Sequence, residues 1–532
     1  MADYSLIKEF TNIKVNRSKK IFLTCAIITY IGLSILYLIA GHLHNAESGY
    51  VHVSQLVYQG KIPYLDFAYN QTPLYPYILG LPLHFLGHNI YTGRACSLIF
   101  SLLTFFLSLR LAKKLGGDTA VMVTAGLLAF NAFQVYSLII TKMYALTALV
   151  IMIAVYVLFL PMKKTIAYSL AVAILTIGIG FRLTLLPALF IILAGIMILE
   201  RRSLANVIPP ILTFIMLSFI IFTPFAINGW EQFHYNIIGH NLDIYSGIKA
   251  KLHASNDLFR NYFFSFLMIA FIGVYRLMKL PSWSSFKERT IQCLSGDEAG
   301  PKSGYIPLLW TVAALMTASH VMAKLPQASY QSTVFPLIAL LIGAAFSTMN
   351  KDMELMKRNG VITSGLKAAF IAGCILTLLS HGLSSLAPAG NRHSPMFIKD
   401  QADYIKAHTG LEDRILSSDT QLIAVEAQRE LLRGFAWNEY YPEWSVERAK
   451  KMSVVNNEIL HDYLSKKEAK AVIFSDASFT LSFPSFRPLT PEKREEVIHM
   501  VREYYYLAKT FPNIYNSKLK TYIYFPKPDN GE

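Results

Sequence analysis

Residues 21–40 read IFLTCAIITYIGLSILYLIA, from Ile21 to Ala40, with Lys14, Arg17, Lys19 and Lys20 before them and Glu47 soon after. At about 1.5 Å per residue, roughly 20 uncharged residues make a helix as long as the hydrocarbon core of a bilayer is thick. No small-residue cleavage site of the AxA kind follows. The run is therefore expected to stay as a membrane span and not to leave as a signal peptide. With its basic flank in the cytoplasm, the later apolar runs thread alternately: Tyr91 to Ala112, Ala120 to Val135, Ala145 to Leu160, Ile166 to Phe181, Leu183 to Leu199, Ala205 to Ile227, Phe259 to Leu280, Tyr305 to Val321, Ser329 to Thr348 and Val361 to His381. That gives about eleven transmembrane helices.

The basic turns test this threading. Arg110, Lys113 and Lys114, then Lys163 and Lys164, Arg201 and Arg202, Arg276 to Arg289, and Lys351 to Arg358 all fall on the cytoplasmic side, as the positive-inside rule requires. An odd number of spans sends the C-terminus to the other face. Composition agrees: 53% of the 532 residues are apolar and 16% charged, with a mean hydropathy of +0.38, against about a quarter charged in a soluble domain. A soluble enzyme and a disordered chain are excluded. The net charge of +15 lies mostly at the ends of apolar runs, which removes it as a sign of nucleic-acid binding. Cys25, Cys96, Cys293 and Cys374 form neither a CxxC motif nor a disulfide framework.

The expected organisation is a transmembrane domain over 1–387, with a first outer loop at 42–90 and a second at 228–258, and a small extracytoplasmic α/β domain over 388–532. Within the first loop, Tyr50 to Tyr58 and Leu74 to Leu86 are too short to span and read as interfacial helices. In the tail, Phe397 to His408 and Pro491 to Ala508 read as helices, and Arg414 to Ser418, Ala471 to Ser475 and Thr521 to Phe525 as strands.

Chemistry concentrates in the first outer loop: Glu47-Ser48-Gly49-Tyr50, then Gly60-Lys61-Ile62-Pro63-Tyr64-Leu65-Asp66-Phe67, then Thr72-Pro73-Leu74-Tyr75-Pro76. Two carboxylates thus stand beside the membrane, where partial desolvation strengthens any contact with a cation or a reacting hydroxyl. For Glu47 the alternative is a charge at the positive end of a helix.

An acid just after the first span, a G-x-PY-x-DF element, a Pro-Leu-Tyr-Pro run and an Arg in the next span, here Arg94, resemble the GT-C polytopic glycosyltransferases. The nearer likeness is to the branch of the dolichyl-phosphate-mannose protein mannosyltransferases and the lipid A aminoarabinose transferases. The resemblance implies Glu47 as the catalytic carboxylate and Asp66 as a second site residue at the same surface. The chain departs from that pattern at Ser48, where members often carry a second acid, at Gln71-Thr72-Pro73 in place of Lys-Pro-Pro, and at Lys142 and Tyr144 in place of Arg and Asp. These departures run against a two-carboxylate mechanism.

The threading also places Lys142, Arg182 and Lys324 on the outer face, against the positive-inside bias. Charges beside a membrane are kept where they have a partner, and a phosphate suits several cations at once; a polyprenyl-phosphate sugar supplies one. Snorkelling to lipid headgroups is the alternative for Lys142 and Lys324. In the second outer loop, Phe233 to His240 follows a family spacing that gives His240 a role at phosphate oxygens or a cation, with a satisfied loop histidine as the alternative. The metal ligands stay unassigned, and a divalent cation stays open as a cofactor. No P-loop, GxGxxG turn or GxSxG elbow is present, and nucleotide sugars are scarce on the outer side. The expected activity is that of an inverting glycosyltransferase moving a sugar from a polyprenyl-phosphate donor to a lipid, glycan or protein acceptor. A secondary transporter and a non-catalytic envelope scaffold are the rivals.

Overall fold

The computed structural model describes residues 17–243, 248–278, 305–323, 326–355, 360–381, 396–417, 421–437, 440–476, 490–514 and 518–528. Lys324 and Cys293 lie outside them, as does the expected boundary at 387. The described chain is mostly helical. Helix α1 (Arg17–Ala40) carries the first apolar run, α2 (Asn45–Tyr58) and α3 (Leu74–Leu86) lie in the first outer loop, and α4 spans Ile90–Ala129. There follow α5 (Ala132–Ile139), α6 (Tyr144–Leu158), α7 (Lys164–Ile179), α8 (Leu186–Leu199), α9 (Leu204–Asn228), α10 (Ile248–Met278), α11 (Tyr305–Met322), α12 (Phe335–Leu355) and α13 (Gly360–His381).

Every apolar run of the sequence is therefore wholly or largely helical, but two of the expected breaks differ. Tyr91 to Ala112 and Ala120 to Val135 were separate expectations; most of both lies in α4, whose 40 residues turn at Gly117 (φ 68°), a conformation an L side chain rarely adopts. The helix resumes at α5, and α5 and α6 meet at 103°. Among the described residues, five helices are long and apolar enough to cross a membrane, or six if that bent pair is one span, and α3, α7, α8 and part of α13 are shorter apolar helices. Helix α9 leaves Leu212, Ile215, Met216, Phe219 and Ile220 more than half exposed, a continuous apolar face that water would not tolerate and lipid would. The molecule is an integral, multi-pass membrane protein.

The tail holds a five-stranded sheet. With β1 (Arg414–Ser417), β2 (Glu430–Leu431), β3 (Ala471–Ser475), β4 (Tyr505–Pro512) and β5 (Lys520–Pro526), the order is β2-β1-β3-β5-β4. Strands β2, β1 and β3 run parallel, and β5 is antiparallel to both β3 and β4. Ile415, Leu416, Val472 and Ile473 are fully buried at its centre. The helix expected over Pro491 to Ala508 stops at Tyr504. From Tyr505 the chain pairs with β5 instead, Tyr505 opposite Pro526 and Pro512 opposite Lys520, because cross-strand pairing outweighs local helix preference where a partner edge is present.

Candidate active site

Helix α2 begins with a closed capping box. His44 caps it and accepts from the Ala46 amide at 3.2 Å, while Glu47, at the third helical position, takes the His44 amide on Oε1 at 2.9 Å. Arg94 on α4 reaches the same carboxylate with two parallel bonds, Nε to Oε2 at 2.9 Å and Nη2 to Oε1 at 2.7 Å. The remaining Arg94 hydrogens go to the carbonyls of Tyr37, Gly41 and His42. Both side chains are 0% exposed. A fourth donor to Glu47 comes from the break between α5 and α6, where the Thr141 amide meets Oε2 at 2.8 Å. Each of Arg94's five hydrogens has an acceptor, and each Glu47 oxygen has two donors.

In this geometry Glu47 is a structural junction. A general base needs an open lone pair within reach of the proton it takes, and here every lone pair is occupied. What Glu47 does is join the end of α1, the start of α2, α4 and the Thr141 turn, so that the residue after Thr141 is held beside this junction.

That residue is Lys142. Its ammonium lies 3.2 Å from His44 Nε2 and donates to the Tyr144 hydroxyl at 3.0 Å. Burial, followed by the charges of Lys142 and Arg94, holds the His44 imidazole well below its ordinary pKa, so the ring is neutral at pH 7. Arg182 approaches Tyr144 from the end of α7. Its guanidinium carbon stands 4.7 Å from the ring centres of both Tyr144 and Tyr330, and Nε donates to Thr184 Oγ1 at 2.8 Å. Lys142 and Arg182 are each 5% exposed. Among the described residues neither has a carboxylate partner; their contacts are phenols, an imidazole and a hydroxyl. Tyr144 also takes a hydrogen bond from Ser329 and gives one to Gln327. Tyr50, on α2, lies in the field of Arg182, Tyr144 and Tyr330.

The other expected residues sit apart from this pair. Asp66 is exposed and closes the 62–66 turn by accepting from the Ile62 amide at 2.7 Å. It lines a cleft of about 200 Å³ between the first outer loop and the tail, with His52, Lys61, Arg414 and Arg433. His240 lies at the end of a π-helical turn over Tyr235–Gly239, 2.9 Å from Asn70 Nδ2 and 3.4 Å from the Tyr441 hydroxyl. With Asn236, which accepts from the Tyr69 amide at 3.0 Å, it ties the second outer loop to the first and to the tail. Lys324 falls outside the described residues. Among the described residues no group of three His, Cys, Asp or Glu side chains is placed to hold a metal. His44, Tyr50 and Tyr330 were not singled out as site residues by sequence reasoning. Tyr50 lay inside the quoted loop motif; nothing local marks Tyr330.

Comparison with known proteins bears on the family and the fold. Residues 70–228 match the family model described as dolichyl-phosphate-mannose-protein mannosyltransferase, a stretch holding Arg94, Lys142 and Arg182 but neither Glu47 nor His240. No curated protein matches the chain. Among solved structures, ArnT from Cupriavidus metallidurans bound to undecaprenyl phosphate superposes with a TM-score of 0.60 at 11% identity, covering 94% of this chain and 97% of that one. Its apo state gives the same values. The apo oligosaccharyltransferase of Archaeoglobus fulgidus follows at a TM-score of 0.51 and 12% identity, over 96% of this chain and 75% of that one. The chain thus has the fold of the GT-C glycosyltransferases and resembles the mannosyltransferase and aminoarabinose transferase branch among them.

Proposed function

We propose that the protein is an inverting glycosyltransferase that takes a sugar from a polyprenyl-phosphate donor at the extracytoplasmic face, with Lys142 and Arg182 holding the phosphate. One observation carries the reading: two cations, both buried and both on Tyr144, have no carboxylate partner among the described residues. A buried charge left unpaired is costly, and an anion entering between them removes that cost. The ArnT relative is described with undecaprenyl phosphate bound, which supports a lipid phosphate as the anion.

In this reading the acceptor oxygen attacks the anomeric carbon as the bond to the phosphate oxygen breaks, and a single displacement inverts the centre. The phosphate leaves with the bonding pair, and Lys142 and Arg182 bind it more tightly as its charge grows. With a second pKa of about 6, the departing phosphate is also the base at hand for the acceptor's proton. Glu47 positions Lys142 through the Thr141 amide. Asp66 shapes the loop and His240 braces it. The N-terminus is cytoplasmic, about eleven spans follow, and the tail forms an α/β domain outside.

The test is release of free polyprenyl phosphate from undecaprenyl-phosphate sugars in detergent, where no gradient drives transport. Wild type releases it; Arg182→Ala lowers the rate at saturating donor as well as weakening donor binding. Equal rates in the two proteins would remove Arg182 from the site, and no release from any donor sugar would overturn the activity. A membrane-impermeant maleimide should label Glu447→Cys, exposed in the tail, from outside the cell; labelling from the cytoplasmic side alone would reverse the orientation.

A further inference from the structure

The helix that carries Glu47 is gripped by the tail. Ser48 Oγ donates to Gln421 Oε1 at 2.9 Å across 373 residues of chain, with both side chains buried, and Gln421 Nε2 reaches the Phe435 carbonyl. Two residues past Phe435, the Trp437 indole lies edge-on to Tyr50 at 5.1 Å between ring centres and to Tyr69 at 5.2 Å. It presses onto the backbone of α2 where there is no side chain: a Cβ on Gly49 would stand 2.7 Å from Trp437 Cζ3.

Tyr50 follows Gly49 and is itself 5% exposed. Its hydroxyl makes no hydrogen bond among the described residues, although Arg182, Tyr144 and Tyr330 all act on it electrostatically. Burial holds the phenol well above its ordinary pKa, so the hydroxyl keeps its proton and has one to donate. A hydroxyl that holds its proton beside two cations without an anion can donate to the anion that joins them.

We propose that Trp437 is a positioning residue for the phosphate pocket: the tail wedges its indole against Gly49 and Tyr50, the Tyr50 hydroxyl is thereby aimed at the phosphate of the lipid donor, and the pocket is incomplete without the tail. This rests on the reading of Lys142 and Arg182 given above. A tyrosine donor fixed in advance loses less freedom on binding than one that must first be ordered. The edge-to-face contact supplies that fixing.

The experiment is binding of undecaprenyl phosphate to the full-length protein in detergent, with thermal melting recorded alongside. Trp437→Ala should weaken binding about tenfold, the scale of one hydrogen bond to a charged group. Trp437→Phe, which keeps a ring against Tyr50, should stay within about threefold of wild type. Gly49→Ala, which pushes the indole off the helix, should behave like Trp437→Ala. Combining Trp437→Ala with Tyr50→Phe should be no weaker than Tyr50→Phe alone, since both remove one aimed hydroxyl; should Trp437→Ala not fold, Gly49→Ala with Tyr50→Phe reads the same coupling. Unchanged binding in Trp437→Ala, or losses that add in the double variant, would overturn the inference while Arg182→Ala still weakens binding. If Arg182→Ala binds as wild type does, the phosphate reading itself falls and takes this inference with it.

Discussion

Arg94 and the pair Lys142 and Arg182 are all buried cations, yet they are held in opposite ways. Arg94 has an acceptor for each of its hydrogens, two of them on Glu47, at 0% exposure. Lys142 and Arg182 have aromatic faces and neutral oxygens, and no counter-charge among the described residues. The first arrangement is complete, so it can only lose by change. In the proposed reading the second becomes complete when an anion arrives. Burial by itself does not distinguish a structural charge from a binding one; its count of partners does.

The largest effect expected from this contrast is at Glu47. Glu47→Gln keeps the volume but leaves Arg94 charged and unpaired in the interior, at a cost of about 3–5 kcal/mol. The variant should melt far below wild type or fail to accumulate in the membrane, a different outcome from a folded protein that merely lacks a base. Replacing both partners, Arg94→Met with Glu47→Leu, should recover much of that stability, because no charge is then left without a partner. A well-folded Glu47→Gln protein that has lost all transfer would restore the catalytic assignment.

Arg182→Ala should do the reverse. Its melting temperature should match or exceed that of wild type, since a buried charge without a counter-ion is removed, while affinity for undecaprenyl phosphate drops about ten- to hundredfold, the range for charge-assisted bonds. A stability loss as large as that of Glu47→Gln would place Arg182 with Arg94. Lys142→Gln is expected to cost about tenfold in the same binding measurement, because the amide still donates to Tyr144 but carries no charge.

The smallest effect is a pH dependence of stability. Burial lowers the His44 pKa well below its ordinary value and that of His52 to about 4, so folding favours the neutral rings. The unfolded chain then binds more protons in the window from about pH 6.5 down to 4. Stability is fully present above that window and falls as the pH drops through it, by at most about 1.4 kcal/mol per unit for each histidine. Melting at pH 7.5 and 5.5 measures it; His52→Gln should flatten the slope, and an unchanged slope would take His52 out of the account.

What the sequence by itself determined follows from one-dimensional signals. Apolar run length against bilayer thickness predicts the spans, alternating basic turns predict the threading, and the apolar runs are wholly or largely helical in the folded chain. The outer-loop motif places Glu47 beside the membrane and Arg94 in the next helix. The tail's buried strands at Arg414 and Ala471 were legible in the same way, since their patterns are local. The fate of a charge is not local. Whether Glu47 is open or saturated depends on Arg94, 47 residues away, and on an amide at the 103° break between α5 and α6. Whether Arg182 meets an acid depends on which helix packs beside it, and the packing brought tyrosines, one of them 148 residues further along the chain at Tyr330. Trp437 reaches Gly49 across still more chain, through a clearance that exists because the helix has no side chain at that position. Hydrogen-bond saturation and close contact are properties of three-dimensional neighbours, so only the folded molecule could decide which charges are structural and which are free to bind.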